Sequence, residues 1–125
     1  MIGYVTLGTN DYDRALEFYD ALLGEIGSAR VLSNDYITLW GNKAGGAMIG
    51  VIKPHDKQDA SVGNGVMPAI LVQDASTVAR LHAKARELGG LDEGTPGPRG
   101  DNASSFAYVR DLDGNKLAFY CNWLT

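Results

Sequence analysis

The chain reads as an α+β protein made of two tandem βαβββ modules. Three observations carry that reading. A strand-like run, a capped amphipathic helix and a Gly stop occur twice, at an offset of 63 residues. Short strand-like runs separated by turn residues follow the first helix. The chain closes on Asp111-Leu112-Asp113-Gly114-Asn115-Lys116, set between the apolar runs 106–109 and 117–121. Asp-Gly between such runs predicts a β-hairpin, because Gly takes positive φ without a Cβ clash.

Residues 2–8 alternate as a strand does, with Val5 and Leu7 on one side and Tyr4 and Thr6 on the other. Thr9-Asn10-Asp11 then supplies an N-cap. Asp11 and Asp13 place negative charge where the helix dipole favours it. Ala15, Leu16, Tyr19, Leu22, Leu23 and Ile26 recur at helical spacing, and Gly24 and Gly27 offer stops. Strands are predicted over 29–32, 36–40 and 47–52, with turns at Asn34-Asp35 and at 41–46.

The polar run 53–64 is broken by Pro54 and reads as a linker. Module one is then 1–53, the linker proper 54–64, and module two 65–125. Residues 66–72 read as a strand. Asp74 caps a second helix with Val78, Leu81, Ala85 and Leu88 on one face, ending at Gly89-Gly90. Residues 91–102, rich in Gly and Pro, read as a loop, and 105–123 as the closing hairpin. The 63-residue offset places Tyr19 on His82 and Gly27 on Gly90. A half of about 55–60 residues has trouble closing its own core, so the two halves are expected to share one.

The chain has 125 residues, a net charge of −4 and a single cysteine, Cys121, so no internal disulfide forms. No run approaches the roughly 20 apolar residues of a membrane span. Met1-Ile2-Gly3 opens directly into a strand-like run, without the basic and apolar regions of a signal peptide. A cytoplasmic setting is expected, with no membrane partner. The absence of a basic stripe argues against a nucleic-acid partner.

Val5-Thr6-Leu7, the helix segment Arg14-Ala15-Leu16-Glu17-Phe18-Tyr19 and the Asp-Leu-Asp-Gly-Asn-Lys turn, taken with the repeat, resemble the vicinal oxygen chelate superfamily. This is the group of glyoxalases, bleomycin-resistance proteins and extradiol dioxygenases. The loop Gly94-Thr95-Pro96-Gly97-Pro98-Arg99 resembles a glyoxalase-like subgroup. The resemblance covers nearly the whole chain. It implies a curved mixed sheet around a cavity and pairing of chains into a homodimer. It also implies that four strand positions hold a divalent metal in enzymatic members, through His, Glu or Gln.

Those positions fall here on Tyr4, on Gly50 within a residue or two, on Met67 (or Pro68), and on Ala118, which follows the turn. None offers the imidazole, carboxylate or amide oxygen that such a metal takes. The expectation is no metal and no cofactor. The same positions shape a mainly apolar hollow, the usual composition of a small-molecule pocket. Thr6 shares the parity of Tyr4, Ala69 that of Met67, and Tyr120 that of Ala118. Tyr108 and Trp40 join them if the hairpin register and the third strand's direction allow.

The candidate pocket is therefore Tyr4, Thr6, Gly50, Met67, Ala69, Arg99, Tyr108, Ala118 and Tyr120. Tyr4 either bonds a ligand or plugs an unused metal site. Arg99 either clamps a carboxylate or phosphate, or pairs with Asp101, or sits in water. Cys121 reads as a semi-buried strand residue rather than a nucleophile, and His82 as a packing or solvent-edge residue. No catalytic residue is assigned. The leading reading is a metal-free binder of a small organic ligand. The alternatives are a metal-dependent lactoylglutathione lyase-type enzyme and a non-catalytic dimer with a vestigial cavity.

Overall fold

Each half folds into a strand, a helix and three further strands. A computed structural model describes residues 1–100 and 103–124. The first half holds β1 (Tyr4–Gly8), α1 (Tyr12–Gly24), β2 (Ala29–Ser33), β3 (Ile37–Gly41) and β4 (Met48–Ile52). The second holds β5 (Ala69–Leu71), α2 (Ala75–Glu87), β6 (Leu91–Gly97), β7 (Ser105–Arg110) and β8 (Lys116–Cys121). The two four-stranded sheets have the same topology, β1-β4-β3-β2 and β5-β8-β7-β6. In each, the first strand runs parallel to the last and the other neighbours are antiparallel.

The helices begin where their capping residues place them. Asp11 accepts from the Arg14 backbone N–H at 3.2 Å, and Asp74 from that of Thr77 at 2.9 Å. Each satisfies a donor that has no partner within its helix. Past the end of α1 the Ser28 N–H returns to the Leu23 carbonyl at 3.1 Å, which Gly27 permits by taking φ of +76°.

One core serves both halves. Leu7, Leu22, Trp40 and Val51 from the first cluster with Val78, Leu81, Val109 and Phe119 from the second. Polar contacts reinforce the seam. The Asn115 amide donates to the Gly8 carbonyl at 2.9 Å, and the Asn10 backbone N–H to Asp113 Oδ1 at 3.0 Å. Asn10 also holds the linker: its side chain accepts from the Ala60 N–H at 2.7 Å and donates to the Ala60 carbonyl at 3.2 Å. No helix among the described residues is long and apolar enough to cross a membrane.

Two expectations need correction. Residues 91–97 form strand β6 rather than the start of a loop. Pro96 and the glycines argued against a strand, but β6 is an edge, where a missing N–H and register shifts are tolerated. The strand expected over 66–72 is only Ala69–Leu71. Val66 turns back to Gly63 through a 3.2 Å backbone bond, and pairing with β8 starts at the Pro68 carbonyl, which accepts from Ala118 at 3.0 Å.

Candidate functional site

Strand register sorts the side chains into two faces. In the first sheet Leu7, Val51 and Thr38 are aligned across three strands and buried. The opposite face carries Tyr4 beside Met48, and Thr6 beside Gly50 and Leu39. In the second sheet Val109 and Leu117 are paired and lie in the core. The opposite face carries Ala69, Ala118 and Tyr108 in one row, and Leu71, Tyr120 and Phe106 in the next. The parities expected for Tyr4, Thr6, Ala69, Ala118 and Tyr120 are those observed, and the hairpin register adds Tyr108. Trp40 is on the core face of its sheet, where it pairs with Ile49 and packs on Tyr19.

A cavity of about 770 Å³ lies between β1 and β5, each an edge of its sheet. Thr6, Met67, Ala69 and Trp40 line it, together with Leu23 from α1 and Ile26 just past its end. The other expected pocket residues lie outside this lining. Arg99, Tyr108 and Tyr120 gather elsewhere, on the far face of the second sheet.

That second cluster is aromatic. The Phe106 ring stacks beside Tyr108 at 6.1 Å and beside Tyr120 at 5.4 Å, with planes within 15° and 12° of parallel. Trp123 meets Phe106 edge-on at 5.3 Å and Tyr120 at 6.2 Å. Two cations address Tyr108: Arg99 Cζ lies 5.6 Å from the ring centroid and Lys116 Nζ 5.3 Å. Gly94 gives the tyrosine room, since a Cβ there would come within 2.6 Å of Tyr108 Cδ2. The Arg99 guanidinium is fixed by the carbonyls of Thr95, Gly97 and Pro98 at 3.0–3.2 Å. Its expected alternative partner, Asp101, lies outside the described residues.

Sequence reading missed Phe106, Lys116 and Trp123. The signal was present: aromatic residues at 106 and 108 alternate along one strand, and 120 sits across from them once the Asp-Gly turn fixes the register.

Other titratable groups have structural roles. His82 is buried, and its Nε2 lies 2.8 Å from Asp92 Oδ1. That bond, with a backbone N–H from Gly94, holds the Asp92 carboxyl below its ordinary pKa. Cys121 is fully buried rather than semi-buried, packed in the core, and its thiol accepts from the Asn122 amide at 3.7 Å. Among the described residues no three His, Cys, Asp or Glu side chains come together in a way that would hold a metal.

The sequence matches the Glyoxalase/Bleomycin resistance protein/Dioxygenase superfamily over residues 1–119. The chain belongs to this superfamily. A glyoxalase/bleomycin resistance protein from Albidiferax ferrireducens is 31% identical, covers 98% of this chain and 99% of its own, and superposes with a TM-score of 0.88. A lactoylglutathione lyase from Agrobacterium tumefaciens is 20% identical over 100% of this chain and 97% of its own, with a TM-score of 0.70. A fosfomycin resistance protein, FosX, from Mesorhizobium loti is 14% identical over 99% and 92%, with a TM-score of 0.69. These last two show a shared fold. No curated protein sequence matches the chain.

The four positions on which the resemblance places the superfamily's metal ligands carry no side chain that suits a metal. Tyr4 is exposed and presents a phenol. Gly50 has no side chain, and its space is filled: a Cβ there would collide with Leu39 Cδ2 and approach the Thr38 carbonyl at 3.0 Å. Met67 precedes β5 and offers a thioether. Ala118 is fully buried opposite Tyr108 and has only a methyl group.

Proposed function

We propose that this chain is a metal-free small-molecule-binding member of the glyoxalase/bleomycin resistance superfamily. One observation carries the reading. The four positions that the resemblance assigns to metal ligands are occupied by Tyr4, Gly50, Met67 and Ala118, and Leu39 fills the space in front of Gly50. A position that had merely lost its ligand would leave a gap. This one is packed, and the mainly apolar surroundings suit an organic ligand better than an ion. The aromatic face and the cavity between β1 and β5 are the two places where such a ligand would bind.

We also propose that the chain works as a homodimer. Leu71 and Leu91 are exposed by 64% and 66%, and Val31 by 60%, all on edge strands. Apolar side chains along open sheet edges are normally covered, and a second copy is the partner the superfamily makes natural. With its lone cysteine buried and no disulfide to form, the chain suits the reducing cytoplasm, where we place it.

Elemental analysis of the purified protein, paired with a thermal-shift screen of small organic molecules, tests the binding reading. The expected result is no stoichiometric Zn, Ni, Mn or Fe, and at least one chelator-insensitive ligand. A ligand at a hundred times its dissociation constant stabilises by about 2.7 kcal/mol. One tightly held metal per chain, or hemithioacetal isomerisation abolished by a chelator, would overturn it. Sedimentation at micromolar concentration tests the dimer.

A further inference from the structure

We infer that the ligand is a planar aromatic anion, with its ring on the Tyr108–Tyr120 face and its charged group at Lys116. The inference rests on the small-molecule reading above and narrows it to a chemical class. Two independent features of one face carry it. The first is a wall of near-parallel rings. Phe106 is aligned within 15° of Tyr108 and within 12° of Tyr120, and Trp123 stands edge-on to that stack. Beside Tyr108 in its own row, Ala69 and Ala118 carry only methyl groups, so Tyr108 and Tyr120 are the rings this face offers to a flat ligand. Aromatic pairs gain from such offset contact beyond the area they bury.

The second feature is charge. Lys116 and Arg99 both address the Tyr108 ring, at 5.3 and 5.6 Å. Among the described residues neither is within ion-pair distance of a carboxylate, whereas Arg110, beside Lys116 on the same face, is taken up by Glu93 at 2.7 Å. A ring quadrupole attracts a cation but does not neutralise it. Two positive groups at one aromatic ring therefore leave a field that favours an anion, and Arg99 is already oriented by three loop carbonyls. A cationic ligand would meet repulsion here. A neutral aromatic one would gain the stacking but not the charge.

The probes are 2-naphthoate, its neutral carboxamide, and cyclohexanecarboxylate, titrated into the full chain and followed by tyrosine and tryptophan fluorescence and by NMR. Naphthoate is expected to bind saturably, with the carboxamide and the alicyclic acid each about tenfold weaker or worse. Lys116→Gln should weaken naphthoate by about tenfold and leave the carboxamide unchanged. Arg99→Gln provides a second charge test if the first variant folds poorly. Equal binding of acid and amide, or naphthoate binding indifferent to both substitutions, overturns the inference. A neutral or cationic compound binding while naphthoate does not sinks this inference alone. No binding across a broad panel sinks the small-molecule reading with it.

Discussion

The Tyr19 hydroxyl donates a 2.6 Å hydrogen bond to Asp111 Oδ2 across the seam between the two halves. Both groups are buried. Asp111 also accepts from the backbone N–H groups of Asp113 and Asn115 at 2.9 Å and from the Asn115 amide at 3.0 Å. The carboxylate thus shapes its own turn and receives the helix. Burial, and then the Asp111 charge, push the Tyr19 phenol well above its ordinary pKa, so it stays a proton donor throughout the working range. The Phe-Tyr helix segment and the Asp-x-Asp-Gly-Asn turn look like separate sequence features. They are two ends of one contact.

Tyr19→Phe should therefore destabilise the fold more than the loss of one ordinary hydroxyl. The ring and its packing on Trp40 remain, so the substitution isolates the bond to a buried charge. A hydrogen bond to a charged group contributes about 1.5–3 kcal/mol. Urea unfolding should show a lower midpoint at an unchanged slope. An unchanged midpoint would mean that water replaces the phenol without loss.

Acid should weaken the fold through a specific carboxylate pair. Asp20 accepts two bonds from Arg30, at 3.0 and 2.7 Å, and one from the Trp40 indole at 2.9 Å. The Arg30 bonds first, and the indole bond after them, hold its carboxyl below the ordinary pKa. The folded state therefore binds a proton less readily than the unfolded chain. The resulting stability is present above the unfolded value, about 4 for an aspartate, and is lost as pH falls through the lower folded value. Asp20→Asn should lower stability in the neutral region and leave the acid end nearly unchanged, so that the acid limb of a stability-versus-pH curve flattens. A limb of the same steepness in the variant would assign acid sensitivity to other groups, such as Asp74 and Asp92, whose pKa values are also lowered.

Much of the fold was legible because local signals and tertiary packing agree. Asp74 caps the helix it was expected to cap, the cap expected within Thr9-Asn10-Asp11 is Asp11, and the alternation of Tyr4 to Leu7 matches the two faces of β1. Strand β6 was not legible, because edge position decides whether Pro96 and Gly97 are tolerated, and edge position is a property of the whole sheet. Trp40 could not be placed for a related reason: a single strand's parity is known only once its neighbours are. The candidate site was half legible. Small and aromatic positions could be named from parity, but their division between a cavity at β1 and β5 and an aromatic face on the second sheet depends on how the sheets sit together. The Leu39 side chain over Gly50 left no signal in sequence at all.

The dimer reading makes Leu71 a sensitive position. It lies on the short edge strand β5 and is 64% exposed in the single chain. Leu71→Arg should shift the sedimentation profile towards the monomer while leaving the far-ultraviolet circular dichroism unchanged. The substituted side chain replaces one already in contact with water, so a single chain has little to lose. A variant that stays dimeric would place the interface elsewhere, for example at β2, where Val31 and Leu32 are exposed.

Gly50 and Leu39 should behave as a coupled pair. Gly50→Ala places a methyl group against Leu39 Cδ2 and 3.0 Å from the Thr38 carbonyl. The carbonyl belongs to a paired strand and moves little, so the leucine must give way. Overpacking of this kind costs about 1–3 kcal/mol. Leu39→Ala alone removes a buried side chain and costs about 2–5 kcal/mol. Combined, the new methyl enters space that the leucine has left, so the double variant should be more stable than the sum of the two losses predicts, by about 0.5–3 kcal/mol. Urea unfolding of the four proteins measures that coupling. Strict additivity would mean that Leu39 does not fill the space in front of Gly50, and metal-free binding would lose its main support. Strong coupling would also explain why Gly50→Glu alone should fail to create a metal site: the carboxylate would have to displace a leucine before it reached any ion.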